Sequence, residues 1–174
     1  QHKVLNDAVL KGVIADNNLD LDVNQVYEDK QEIYASLLPQ LKEMPGASDF
    51  LEYLRIMGIR TAAVSSGYKK SVERSLEACD FKRYMYAIIA KRQGGNDKPH
   101  PEPYLRGAEA IERDPSSCLC VEDTPAGVIS AKRAGVGLVI ACPNEWTRNL
   151  NFEKEAEPHI MVASLEDIIT LDLI

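Results

Sequence analysis

The 174 residues carry 20 basic and 27 acidic side chains, a formal net charge of −7, and 45% hydrophobic residues. That content suffices to bury the core of one domain, or of one domain with a small appendage, and it excludes wholesale disorder. No apolar run approaches the roughly 18 residues of a membrane span, and the acidic balance argues against a broad basic surface for nucleic acid, so neither a membrane nor a nucleic-acid partner is expected.

In chain order, Val4, Leu5, Ala8, Val9, Gly12 and Val13 recur at three- and four-residue steps and predict a first helix, broken at Asn17-Asn18. A second helix is predicted over 24–38. A third runs over 47–57, between Pro45-Gly46 and Gly58. From there the pattern changes to alternation. Strands are predicted at 59–64, 86–90, 118–121, 136–141 and 160–162. Helices are predicted at 70–78, 103–111, 125–134 and 165–171, with a helical turn near 145–149. Strands joined by crossover helices imply an α/β fold, a Rossmann-like parallel sheet covered on both faces by helices. The change of character near Pro45 divides the chain into a helical module, 1–44, and an α/β module, 45–174.

Cys79, Cys118, Cys120 and Cys142 sit scattered inside apolar runs. A chain of this length needs no disulfide staples, so buried free thiols are expected, which favours a reducing, cytoplasmic setting. Cys118-x-Cys120 has neither the spacing nor the second pair of a structural zinc site. His2, His100 and His159 are not helically paired, so a His-based metal site and a Ser-His-Asp triad are both poorly supplied.

Ligands of open parallel sheets bind beyond the carboxyl ends of the strands. The residues expected there are Ser65-Ser66-Gly67, the loop ending in Lys98-Pro99-His100-Pro101, and Glu122-Asp123-Thr124. Each has a plain structural explanation alone: a serine or Asp-Thr-Pro caps a helix, and a loop lysine is solvated. Together they place a hydroxyl, an ammonium and two carboxylates on one rim. A serine hydroxyl with helix N-terminal amides binds a phosphoryl oxygen, lysine neutralises its charge, and adjacent carboxylates suit Mg²⁺.

The order of these pieces resembles the haloacid dehalogenase superfamily of phosphohydrolases and phosphomutases. The resemblance rests on Ala62-Ala63-Val64-Ser65-Ser66-Gly67, on Lys98-Pro99-x-Pro101-x-Pro103, and on Cys120-Val121-Glu122-Asp123-Thr124-Pro125-Ala126-Gly127-Val128 with Ala131 and Ala134-Gly135 following. The β-phosphoglucomutase-like branch, which includes sugar-phosphate phosphatases, is the nearest subgroup. The resemblance implies that 45–174 is the core domain and that 1–44 is part of an inserted helical cap. It implies that Ser65 hydrogen-bonds the transferring phosphoryl group, with Ser66 offering its amide, and that Lys98 steadies the phosphoryl charge. Asp123 is implied as the Mg²⁺ ligand, with Glu122 as a second ligand or its supporting partner, and Thr124 as a helix cap.

The nucleophile of that family, the first Asp of an Asp-x-Asp-Gly-Thr block after an apolar strand, has no counterpart. Asp20-Leu21-Asp22 is the only Asp-x-Asp in the chain; no buried strand precedes it and Val23-Asn24 follows it. Asp22 fits a helix N-cap better. The resemblance places the absent first core strand in mid-sheet, between the strands ending at Ser65 and Val121. The chain is therefore expected to be a fragment, with about 50 N-terminal residues cleaved or carried on another chain, and to be inactive alone. The expected function of the complete protein is Mg²⁺-dependent phosphatase activity on a small phosphorylated metabolite, a sugar phosphate, through an aspartyl-phosphate. The alternatives are a β-phosphoglucomutase-type mutase and a catalytically inactive fragment or binding protein. A true dehalogenase is disfavoured, because Glu122-Asp123 suits a metal that such chemistry does not need.

Overall fold

The computed structural model describes residues 12–14, 16–17, 20–92 and 94–172. The helix expected from Val4 lies outside the described residues except at 12–14, which are helical. The chain forms two compact units, 1–40 and 41–174.

In the first unit, helix α1 spans Val23–Leu37 and a 3₁₀ turn follows at Leu38–Gln40. The Asp22 carbonyl accepts from Val26 N at 3.0 Å and opens the helix. Gln25 donates to Asp29 one turn on, at 2.8 Å. Asp20, Leu21 and Asp22 are an exposed, irregular approach to α1, with no strand ahead of them among the described residues.

The second unit contains α2 (Ala47–Ile56), β1 (Thr61–Tyr68), α3 (Lys69–Ala78), β2 (Met85–Lys91), α4 (Glu102–Ala110), β3 (Leu119–Glu122), α5 (Pro125–Arg133), β4 (Leu138–Ala141), β5 (Ile160–Met161) and α6 (Glu166–Thr170). All described strand pairs are parallel, as the alternation predicts. The strands form two sheets, β1–β2 and β3–β4–β5, and β1 is not paired with β3. The interruption falls where the resemblance puts the absent strand.

The β3–β4–β5 sheet shows why its sequence is apolar at every position. Cys120, Val139 and Ala141 face one way and pack with Val128, Ala131 and Ala134 of α5 and the turn after it. Leu119, Val121 and Ile140 face the other way and pack with Phe50 and Leu54 of α2 and Ile168 of α6. Period-2 alternation between two covered faces leaves no position for a polar side chain until the strand ends. Glu122, paired with Ala141, is that end.

Several boundaries differ from the sequence expectation, each for a local reason. Strand β1 begins at Thr61 rather than Ile59, because Ile59 N closes helix α2 by donating to Leu54 O, beyond Gly58 at φ 67°. It continues to Tyr68, paired with Lys91 after a register shift, so Ser65, Ser66 and Gly67 belong to an irregular strand end. Tyr68, not a serine, is the N-cap of α3. Strand β4 begins at Leu138, since Val136 N is held by Ala131 O and Gly137 N by Pro115 O. The helical turn expected near 145–149 is present as a single turn, with Arg148 N donating to Asn144 O at 2.9 Å.

Ile140 is fully buried at the centre of the second cluster. Ile140→Ala is expected to cost about 2–5 kcal/mol, whereas Met161→Ala, at an exposed position on β5, should fall within about 0.5 kcal/mol of the parent. Urea unfolding of both variants checks this ordering.

Candidate active site

Lys98 is the centre of the rim. The loop from 92 to 101 joins β2 to α4, and the Lys98-Pro99 peptide within it is cis. Lys98 Nζ donates to the Val64 carbonyl of β1 at 3.0 Å and forms an ion pair with Glu122 Oε1 at the end of β3. Both side chains are nearly enclosed, 11% and 7% exposed. Tyr104, on the first turn of α4, donates its phenol to the same Glu122 oxygen, and Lys98 Nζ lies 5.0 Å from the centre of its ring. Burial, with the charge of Glu122 behind it, raises the Tyr104 pKa and keeps the phenol protonated as a donor.

Glu122 Oε2 accepts from Thr124 Oγ1 at 3.4 Å. Thr124 is extended and its hydroxyl accepts from Gly127 N at 3.2 Å, capping α5, with Pro125 as the first helical residue. The cap draws α5 so close to the strand end that a Cβ at Gly127 would overlap the Glu122 carboxylate.

Asp123 is half-buried beside this pair. Its Oδ2 accepts from Asn144 Nδ2 at 3.0 Å. Asn144 is fixed by its own turn: its side-chain oxygen accepts from Trp146 N at 2.8 Å and Thr147 N at 3.1 Å. Burial, and then the Glu122 charge, push the Asp123 carboxyl above its ordinary range. Such a carboxylate suits a bound cation, and the hard oxygens of Asp123 and Glu122 suit Mg²⁺. Asp123 is the better placed of the two, since Glu122 is already held by Lys98, Tyr104 and Thr124. Among the described residues no three His, Cys, Asp or Glu side chains form a metal cluster.

Ser65 follows Val64 directly, and its hydroxyl accepts from Gly67 N at 3.0 Å. Ser66 donates its hydroxyl to Asp97 Oδ1, which also accepts from Lys98 N at 2.9 Å. The serine segment and the lysine loop are thus tied together through Asp97. Sequence reasoning missed Asp97, Tyr104 and Asn144. Asn144 stands just beyond β4, at a strand end like those that lead into Ser65 and Asp123, and that position is its signal in the sequence. Tyr104 at helical spacing looks like core, and Asp97 like an ordinary loop residue.

The four cysteines are free; Cys120 and Cys142 are buried. Burial pushes the Cys120 thiol up to about 12, with the Glu122 charge adding to it, so it is not a nucleophile at neutral pH. No described helix is long and apolar enough to cross a membrane.

Residues 5–141 match the family model of the haloacid dehalogenase-like hydrolases. The chain is similar to the phosphorylated carbohydrates phosphatase of Thermotoga maritima, 31% identical over 112 residues, 64% of this chain and 50% of that protein. It is similar to hexitol phosphatase A of Escherichia coli, 29% identical over 149 residues, 86% of this chain and 66% of that one. The crystal structure of β-phosphoglucomutase from Clostridium difficile shares the fold, with a TM-score of 0.75 at 20% identity over 93% of this chain and 72% of that chain. The chain spans between 35% and 66% of the length of such curated relatives.

Two outcomes follow from this geometry. Gly127→Ala should destabilise the protein by about 1–3 kcal/mol through overpacking against Glu122, read by urea unfolding. For Asp123, a carboxyl pKa raised by folding contributes stability below the unfolded value and loses it as pH rises through the folded value. Asp123→Asn removes that loss and can still accept from Asn144. The metal-free variant should therefore melt above the parent at pH 7, with the gain shrinking towards pH 4. A gain that grew on acidification would show the shift to have the other sign.

Proposed function

The chain belongs to the haloacid dehalogenase-like hydrolases, and from that premise we propose that it supplies the phosphate- and metal-binding parts of a Mg²⁺-dependent phosphatase acting on a small phosphorylated metabolite, with sugar phosphates as the substrate class. The observation that carries the proposal is the position of Lys98, enclosed between the carboxyl ends of β1 and β3, which lead directly into Ser65 and Asp123. A cation fixed between two strand ends, beside hydroxyls and carboxylates, binds and orients a phosphoryl group at the place where open α/β sheets bind ligands. The printed names of two relatives, a phosphorylated carbohydrates phosphatase and a hexitol phosphatase, support the substrate class.

In this proposal Ser65 donates its hydroxyl and Ser66 its amide to phosphoryl oxygens, Lys98 steadies their charge, and Asp123 holds Mg²⁺ by a carboxylate oxygen. Glu122 keeps Lys98 and Tyr104 in place. Mg²⁺, when bound, supplies the charge that stabilises the phosphoryl group in transfer. The nucleophile is an aspartate on a segment other than these residues, since Asp20 and Asp22 lie exposed before α1. Residues 1–44 are proposed as part of a cap over the core formed by 45–174. Four free cysteines support a reducing, cytoplasmic setting.

The test is phosphate release from a panel of sugar phosphates by the whole protein, with Mg²⁺ and with chelator. Lys98→Ala should lower kcat by about a hundredfold or more, and Asp123→Asn should abolish Mg²⁺-dependent turnover. Near-parent turnover by either variant overturns the site assignment. Conversion of a sugar 1-phosphate to its 6-phosphate without free phosphate would replace the phosphatase by a mutase. The 174 residues alone should release none.

A further inference from the structure

The amino ends of β1 and β2, away from the rim, carry a cavity of about 320 Å³. Thr61 and Met85 open the two strands and pair with each other there. Four residue rises of β1, about 13 Å, separate Thr61 from Ser65. The cavity is lined by Arg55 at the end of α2, by Arg60 in the turn that leads into β1, and by Arg83, Tyr84 and Tyr86 around the start of β2.

Among the described residues, three arginines and no carboxylate line it, in a chain whose formal net charge is −7. Each guanidinium is fixed by an acid outside the lining: Arg55 by Glu52 at 2.6 Å, Arg83 by Asp80 at 2.7 Å, and Arg60 by Glu112. Arg60 also donates to the Ile111 carbonyl at 3.1 Å, and Arg83 to the Tyr84 hydroxyl at 2.8 Å. The Arg55 hydrogen bond, and with it the charge of Arg83, hold the Glu52 carboxyl below its ordinary range, so these two guanidiniums share one neighbourhood. A guanidinium has five N–H donors, and a carboxylate takes two of them side by side. The acids therefore orient the arginines without exhausting them. The pairs are exposed and individually weak, so an anion entering the cavity meets oriented donors at little cost.

The rings add a second requirement. Arg60 lies over Tyr86, 4.7 Å from the ring centre, and Arg83 over Tyr84 at 4.8 Å. A stacked guanidinium has a second face for another ring, and Tyr86 is 54% exposed. Ile59 and Met85 add apolar surface. An inorganic anion uses only the charges, and a neutral aromatic only the rings. A nucleoside monophosphate uses both: its phosphate matches the arginine forks, and its base stacks on an aromatic or guanidinium face. A cavity of this size takes one small ligand.

We propose that this cavity binds a nucleoside monophosphate, with Arg55 and Arg83 on the phosphate and the Arg60–Tyr86 stack on the base. The site stands on residues at the opposite strand ends from Lys98, so its failure would leave the proposed phosphatase activity standing.

The test is calorimetric titration of the whole protein with AMP and with UMP, in chelator so that no Mg²⁺-dependent turnover occurs. Saturable one-to-one binding is expected. Arg83→Ala and Arg55→Ala should each weaken it about tenfold or more, and Arg83→Lys, which keeps the charge but not the fork, should recover only part of the loss. These exposed positions tolerate substitution. Adenosine and inorganic phosphate should each bind at least about tenfold more weakly than AMP. Ser65→Ala, at the rim, should leave the affinity unchanged. Four results overturn the proposal: no saturable binding of either nucleotide, an affinity indifferent to both arginine-to-alanine changes, inorganic phosphate binding as tightly as AMP, or loss of binding in Ser65→Ala, which would put the nucleotide at the rim.

Discussion

The enclosed contact of Lys98 with Glu122 and the Val64 carbonyl is the interaction on which the site depends. With both side chains almost out of water, neither charge is stable alone; removing one partner of such a pair costs about 3–5 kcal/mol. The pair persists because its remaining valences are filled. Tyr104 donates to Glu122 from α4, and Thr124 donates from the cap of α5. A hydrogen-bonded network of this kind is either complete or costly, and here five elements must be in place at once: β1, the lysine loop, α4, the end of β3 and the cap of α5. The contact is thus both a product of the fold and a clasp across the carboxyl ends of β1 and β3.

The clasp also explains why so small a residue follows it in α5. Gly127 is required by the approach of the helix to Glu122 rather than by an unusual φ. The same helix buries Val128 and Ala131 against β4, so the polar clasp and the apolar core are fixed by one rigid body. Asp123, one residue past Glu122, is carried to the opposite side, where Asn144 receives it. A single strand end therefore separates a carboxylate that is structurally committed from one that remains suited to a cation.

The parts of this arrangement that are encoded locally were legible in the sequence. Thr124-Pro125 reads as a cap followed by the first helical residue, and the structure shows that bond. The alternation of strands and helices fixes a parallel sheet, because parallel neighbours need crossover connections. Glu122-Asp123 stands out because it ends an apolar run. What was not legible depends on distant partners. The run of β1 to Tyr68 is set by pairing with Lys91. The phenol of Tyr104 meets Glu122 across 18 positions of chain, and nothing in a helix pattern distinguishes it from a core aromatic. The single turn at 145–149 is by contrast local: the Asn144 side chain accepts from Trp146 N and Thr147 N as a helix N-cap does.

The charges on the rim bear on what can bind there. Asp97, Glu122 and Asp123 bring three carboxylates against the one ammonium of Lys98, a formal excess of two negative charges within a few residues. A phosphoryl dianion approaching that rim alone meets repulsion, and the partial desolvation that raises the Asp123 pKa makes the repulsion stronger than it would be in water. A divalent cation would cancel the excess and leave Lys98, the Ser65 hydroxyl and the Ser66 amide to orient the anion. The lysine alone does not suffice, because Glu122 already neutralises it. The same ion pair that holds the strand ends together thus leaves the rim with unbalanced negative charge: the bond that stabilises the fold consumes positive charge that an approaching anion would otherwise meet.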